Sequence, residues 1–340
     1  MKKPLPALHH SLLVNVLSQS QSREAGPTHA QTHASTCSFE FTVVRSANGF
    51  VRRTEFTAIL EKRDRATGSP LRKVIRAQLP FLETLQDPAD LFQKDWNIDS
   101  VSHERTPQAS RFRGRVRTTD GDFFWDLSLS GGVDLRFCPL PGWVEHQTLA
   151  TQTSVQGSWS LGEFKWSSAE DPALASVHLR GEAPRVSPSV CFHSQTLTDA
   201  AGAPPQLADG LSATPQRFGM QIFPTLTRIC AFESLQSALP FSLWQAIRSS
   251  MSEDGRGGWT FRTEKSGLEM RGRISAEPKD WVTLRCEDVH GAAFYRTSTR
   301  LADLEILVLS HGKPQGHFRS LRSTWLEQTQ LEKPESITIY

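Results

Sequence analysis

The sequence predicts an all-β protein made of two consecutive antiparallel barrels with few short helices. Three observations lead there. From Cys37 onward apolar residues recur with a period of two, in runs of about five to eight residues broken by Gly, Pro, Asp or Ser. Nine Trp and 19 Phe stand against two Tyr, so most of the ring surface lacks a polar handle and suits apolar walls. At 340 residues the chain has room for one large or two medium domains.

Taken in order, residues 1–36 read as a flexible N-terminal segment. Two lysines and a short apolar stretch open it, Pro4, Pro6 and His9-His10 interrupt it, and no convincing cleavage site follows. "SQSQSREAGPTHAQTHAST" is small, polar and aperiodic. A first barrel is expected over 37–156. In it "FEFTVV" aligns Phe39, Phe41 and Val43, and "TEFTAIL" aligns Phe56, Ala58 and Leu60, with Asn48-Gly49 as the hairpin signal between them. "DPADLFQ" suits a single helical turn, and "FFWDLSLS" sets Trp125, Leu127 and Leu129 against Asp126 and Ser128. A second barrel is expected over 157–340, from "VHLRGE", "WTFRTEKSGLEMRGRI", "WVTLRCED" and "LEILVL". One helix is predicted in "PFSLWQAIRSSM", where Pro240 suits a first helical position and Leu243, Trp244, Ile247 and Met251 fall near helical spacing. The Pro-, Ala- and Gly-rich stretch 198–219 reads as a loop or lid.

Composition excludes several functions. A net charge of +2 gives no general surface for nucleic acid. The five cysteines are scattered without a CxxC pair, which suits thiols in a reducing compartment and no zinc site. His29 and His33 are four apart but in an aperiodic segment. No apolar run reaches the roughly 18 residues of a bilayer span, and the expected location is cytoplasmic. Nucleophile-elbow, phosphate-loop, dinucleotide and zinc-helix motifs are all missing, so neither metal nor cofactor is expected.

"WVTLRCEDVHGAAFYRTSTRLADLEILVL", residues 281–309, resembles the C-terminal strands of the tocopherol cyclase, hydroxyneurosporene hydratase and AttH-like superfamily. Asp288, Gly291, Tyr295, Ser298, Ala302 and Asp303 carry that likeness. "FEFTVVRSANGFVRRTEFTAILEKRD" is similar to an opening hairpin of the group, and "FQKDWNIDSV" to its Trp-bearing strand. The resemblance implies two lipocalin-like barrels with a hydrophobic pocket for an isoprenoid or other lipophile. It also makes "GSW" at Gly157–Trp159 a candidate start of the second barrel. The chain departs from the hydratases after "VHLRGE": their acid–histidine–tryptophan cluster is missing, so their catalytic roles do not transfer.

Hydration or cyclisation of an alkene needs a positioned acid and aromatic faces to shelter a cation. Glu163 shares parity with Trp159 and lies between Trp159 and Trp166, which makes it the candidate proton donor unless a bulge at Gly162 resets the register. Trp125, Trp159, Trp166, Trp259, Trp281 and Tyr295 are the candidate ligand-binding residues, with ordinary core packing as the plainer account of each tryptophan. Asp126, His178 and Glu182 are expected to face outward, and Asp288 and His290 to form a turn. The expected function is binding of a lipophilic small molecule, with cofactor-free hydration, cyclisation or isomerisation as its catalytic form and peripheral membrane association compatible with it. A non-catalytic carrier and a scaffold with filled barrels are the alternatives.

Overall fold

A computed structural model of the chain describes residues 8–18, 36–46, 52–63, 70–82, 90–131, 144–182, 189–194, 198–199, 218–223, 228–233, 247–253, 258–265 and 267–334. It is antiparallel β-structure in two compact units, the first built mainly from residues up to Pro184 and the second mainly from Arg185 onward.

The first unit contains β1 (Leu8–Ser18), β2 (Thr36–Arg45), β3 (Arg52–Arg63), β4 (Pro70–Leu79), the one-turn helix α1 (Asp90–Gln93), β5 (Trp96–Ile98), β6 (Val101–Arg105), β7 (Ala109–Thr118), β8 (Gly121–Ser130), β9 (Val144–Leu161), β10 (Phe164–Ser167) and β11 (Ala173–Glu182). Its strand order is β4-β3-β2-β1-β11-β9-β8-β7-β6-β5, with β10 beside β9. The sheet rolls until β4 passes near β7. Period-two alternation supplies the core, because residues opposite one another in the ladder point to one face. Phe41 stands opposite Phe56, and Trp125 opposite Trp159. "DPADLFQ" ends in α1, and Trp96 anchors that turn by donating its indole N–H to the Leu91 carbonyl at 2.8 Å.

Two expectations about organisation are corrected. Residues 8–18 are a central strand, paired to β2 on one side and β11 on the other, with Leu12, Val14 and Val16 in the core. The division expected near Gln156 falls inside β9, which continues to Leu161. Gly157 begins no second barrel. Its φ is +124°, and a Cβ there would meet the Asp126 carbonyl oxygen at 1.9 Å, so glycine is what lets β8 approach β9. Residues 19–35 and the Asn48-Gly49 turn lie outside the described residues.

The second unit contains β12 (Ser189–Ser194), β13 (Thr198–Asp199), β14 (Phe218–Phe223), β15 (Arg228–Glu233), β16 (Ile247–Glu253), β17 (Gly258–Lys265), β18 (Leu268–Ser275), a 3-10 turn (Pro278–Asp280), β19 (Val282–Glu287), β20 (Ala293–Ser310) and β21 (Lys313–Gln330). The ladder runs β12-β14-β15-β16-β17-β18-β20, and β20 pairs with β21, which returns to β12. That circuit closes an eight-stranded barrel, and β13 and β19 branch from it. The helix expected over "PFSLWQAIRSSM" is corrected from Ile247 onward. There the chain forms β16, because the ladders to β15 and β17 satisfy its backbone whatever the local spacing of apolar residues. Pro240 to Ala246 lie outside the described residues, as does most of the 198–219 stretch.

Candidate functional site

The core of the first unit is rich in aromatic rings. Trp125, buried to 3% exposure, stacks parallel on Phe56 at 4.6 Å, and Phe39, Phe41 and Phe123 pack around the pair at 5.1 to 6.4 Å. The indole lies flat over Gly114, where a Cβ would come within 2.3 Å of Cζ2. Trp159 and Trp166, opposite each other on β9 and β10, are buried in the same core, and Trp166 donates to the Asp171 carbonyl at 2.9 Å. All three tryptophans belong to the first unit's buried core cluster.

Glu163 is corrected as well. It occupies the two-residue turn between β9 and β10 beside Gly162, whose φ is +56°, and it is exposed. The turn ends the alternation that linked Glu163 to Trp159, so no apolar wall surrounds its carboxyl group. Asp126 faces outward and pairs with Arg111 at 2.6 Å, and that hydrogen-bonded guanidinium holds its carboxyl below the usual range. His178 lies on the face opposite Val177 and Leu179, as expected, but is fully buried and hydrogen-bonded to Ser176 Oγ at 2.8 Å. Asp288 acts as a turn former, its Oδ1 accepting the His290 N–H at 2.8 Å.

The first unit's core face also carries a histidine. His103, on β6, sits opposite Trp96 and Phe112 in the ladder and is 0% exposed. Its ring lies 4.5 Å from Phe112, 5.7 Å from Phe92 and 5.9 Å from Trp96, centroid to centroid. Nδ1 is 2.9 Å from the Lys94 carbonyl oxygen, and Nε2 has no hydrogen-bond partner. Burial pushes its pKa below the ordinary value. In the sequence Ser102, Glu104 and Arg105 flank His103 and mask its side. Its parity with Val101 was the available signal.

The interior of the second barrel differs along its length. Trp259, Phe261, Met270, Ile274, Ile306 and Phe318 form an apolar end. Phe261 and Phe318 lie down over glycines: a Cβ at Gly272 would meet Phe261 Cζ at 1.9 Å, and one at Gly316 would meet Phe318 Cζ at 2.5 Å. Trp281 joins the same cluster. The face then continues as hydroxyls. Thr299 stands opposite Leu326, Thr297 opposite Thr283, and Thr324 opposite Ala302. All four hydroxyl residues are buried, with Thr283 and Thr297 hydrogen-bonded to each other at 2.9 Å. Tyr295, half-buried, shares parity with Thr297 and Thr299 at the end of this ladder.

Carboxylates avoid these interiors among the described residues. Glu40, Glu61, Glu269 and Glu327 stand on the face opposite the core residues of their strands, and Asp280 is held by Arg322 Nη2 at 2.8 Å. A groove of 530 Å³ lies on the outer face of the second barrel between Thr260, Arg262, Arg271 and His317. Its charges are paired, Arg262 and Arg271 with Glu269, and His317 with Glu305 at 2.6 Å. Among the described residues no group of three or more His, Cys, Asp or Glu could hold a metal ion, and no helix is long and apolar enough to cross a membrane.

The chain matches no protein-family model and no curated protein. Among solved structures it is similar to a protein described as an AttH from Nitrosomonas europaea, at 12% identity and a TM-score of 0.41, over 95% of this chain and 92% of the other. It is also similar to kievitone hydratase from Nectria haematococca, at 11% identity and a TM-score of 0.48, over 94% of this chain and 88% of the other.

Proposed function

We propose that the protein is a carrier for a lipophilic small molecule with an uncharged polar end, held along the axis of the second barrel. One observation carries this reading: eight strands close around an interior that passes from aromatic and aliphatic side chains to buried hydroxyls. An eight-stranded barrel is wide enough either to be filled by its side chains or to hold one small guest. A guest laid with its apolar part against Met270 and Ile306 and its polar end near Thr297 and Thr299 would bury its surface and keep its hydrogen bonds. Loading of such a guest at a membrane surface is part of the same reading.

The carrier is preferred to the hydratase, cyclase or isomerase. Protonating an alkene takes an acid inside the apolar chamber, and the described carboxylates stand outside it. The test is a filled lumen. N-phenyl-1-naphthylamine, an uncharged lipophilic fluorophore, should bind the wild-type protein at one site. Ala302→Trp places an indole at a fully buried interior position, and it should abolish that binding while circular dichroism and the urea midpoint hold. Undiminished binding, or collapse of the second barrel because no room exists for the indole, counts against the carrier.

A further inference from the structure

The wall of the second barrel is interrupted at one level on neighbouring strands. β18 ends with Ser275 opposite Asp303, and β19 begins with Val282 opposite Ser298, so the ladder along that edge of β20 skips residues 299–302. On the other edge of β20 the register to β21 shifts at the same height, between Thr299 and Leu304. β17 starts there too, its Gly258 opposite Ser275. The shorter strands therefore stop at a rim, while β20 and β21 run on past it.

Residues 276–281, which contain the 3-10 turn, occupy that rim. Glu277, Pro278 and Lys279 are exposed, whereas Ala276 and Trp281 belong to the barrel's apolar cluster. With Trp259 they are its least buried members, each 8% exposed against 3% or less for the rest, as expected at a mouth rather than in its depth. The turn bonds to itself: the Asp280 N–H donates to the Glu277 carbonyl at 2.8 Å, and the Trp281 N–H to the Pro278 carbonyl at 3.4 Å. A segment bonded in this way can move as a piece without breaking a ladder. From β21 it is tied by Arg322, which stands outside the ladder at a φ of +49°. The guanidinium bonds Glu277 at 3.2 Å and the fully buried Asp280 side chain at 2.8 Å, and the Arg322 N–H donates to Asp303 on β20 at 2.7 Å. One residue thus joins all three interrupted segments.

We propose that residues 276–281 are a flap over the mouth of the second barrel, latched shut by Arg322, and that the lipophilic guest enters and leaves beneath it. The flap rests on the carrier reading and supplies its guest with a route of exchange. With Trp281 swung outward, the guest's apolar part passes first, toward Ile274 and Met270. Its polar end stops beside Thr297 and Thr299, which flank Ser298 at the level where the flap rejoins β20. A gate lowers the barrier in both directions, so it changes binding and release together and leaves affinity alone.

Arg322→Asn removes the guanidinium, tolerates the left-handed backbone and keeps the N–H bond to Asp303. Because it strands a buried carboxylate, Arg322→Asn combined with Asp280→Asn is made beside it and serves if the single variant folds poorly. Amide hydrogen exchange without any guest reads the flap itself: residues 276–281 should exchange roughly tenfold faster than in the wild type, with β17 and β20 unchanged. Stopped-flow mixing with N-phenyl-1-naphthylamine reads the port: association and release rate constants should both rise about fivefold, with Kd within about twofold of the wild type. Unaltered exchange in 276–281 overturns the proposal, and so does faster exchange with unaltered fluorophore rates; in both cases the fluorophore still binds and the carrier reading stands. Faster release with unchanged association makes Arg322 part of the binding site and overturns the gate as well. Fluorophore binding to neither the wild type nor the variants sinks the carrier reading and the port with it.

Discussion

Two glycine-to-alanine substitutions test the proposal that the second barrel is hollow. At Gly114 a Cβ would lie 2.3, 2.5 and 2.8 Å from three atoms of the Trp125 indole, and at Gly272 it would lie 1.9, 2.4 and 2.6 Å from three atoms of the Phe261 ring. Neither glycine has a positive φ, so alanine fits both backbones and even contributes about 0.4–1 kcal/mol by restricting the unfolded chain. The outcome therefore depends on where the displaced ring can go. Trp125 is trapped between Phe56 at 4.6 Å and Phe123 at 5.1 Å, and overpacking of that kind costs about 1–3 kcal/mol. Phe261 meets Phe192 at 5.5 Å on one side and can swing toward the barrel axis if the axis is vacant. That swing costs about 0.5–1.5 kcal/mol when it leaves a rotamer well by 30°, and less if it reaches another well. Urea unfolding should then show Gly114→Ala destabilised by about 1–2 kcal/mol net, and Gly272→Ala within about 0.5 kcal/mol of the wild type. Gly272→Ala should also weaken binding of a lipophilic fluorophore, because the ring now occupies the guest's space. Equal penalties at the two sites, with fluorophore binding unchanged, would refute a hollow second barrel beside a solid first unit.

Glu163→Gln should leave lipophile binding unaltered and stability within about 0.5 kcal/mol, since the residue is an exposed turn position; a tenfold loss of binding in the fluorophore titration would return Glu163 to the site. The pH dependence of stability carries the signature of His103. Burial lowers its folded pKa from 6.5, so the unfolded chain takes up a proton first as the pH falls. Stability at this site is thus undiminished above 6.5 and lost on acidification from 6.5 down to the folded pKa, by at most about 1.4 kcal/mol per pH unit. Urea midpoints measured from pH 7.5 to 5 should show this acid limb shrinking in His103→Phe, and parallel curves would contradict it.

Much of the fold was legible because β-structure writes itself at short range. The parity of Phe39, Phe41 and Phe56, the single turn at Asp90–Gln93 and the β19–β20 hairpin all follow from neighbours a few residues apart. What escaped depends on distant partners. Leu12, Val14 and Val16 alternate, but only pairing with β11 makes their segment a central strand rather than a lead-in. In β16, Ile247 and Met251 fit a helical spacing that the ladders to β15 and β17 override. The site was less legible still. Parity with Trp159 points to Glu163, and the turn at Gly162 cancels that parity. His103 was hidden by polar neighbours, because only the opposing strands, with Trp96 and Phe112, make its side an aromatic one.

The polarity of the second barrel's interior turns on one irregularity rather than on composition. Between Thr299 and Ala302 the ladder to β21 gains a residue on β20, so Thr297 and Thr299 face the same side as Ala302 and Leu304. Strict alternation backward from Ala302 would instead turn Arg300, Ser298 and Arg296 inward, setting two guanidinium groups in a greasy chamber at a cost of several kcal/mol each. The compensating irregularity on β21 is pinned at Arg322, whose φ is +49°. Its N–H donates to Asp303 Oδ1 at 2.7 Å, and its guanidinium bonds Asp280 at 2.8 Å and Glu277 at 3.2 Å. The bulge thus exchanges charge for neutral hydroxyls at that end of the barrel. A carboxylate-bearing guest would find no cation among the described interior residues, whereas an alcohol, ketone or ether would find donors and acceptors already in place. This is why the proposed guest has an uncharged polar end.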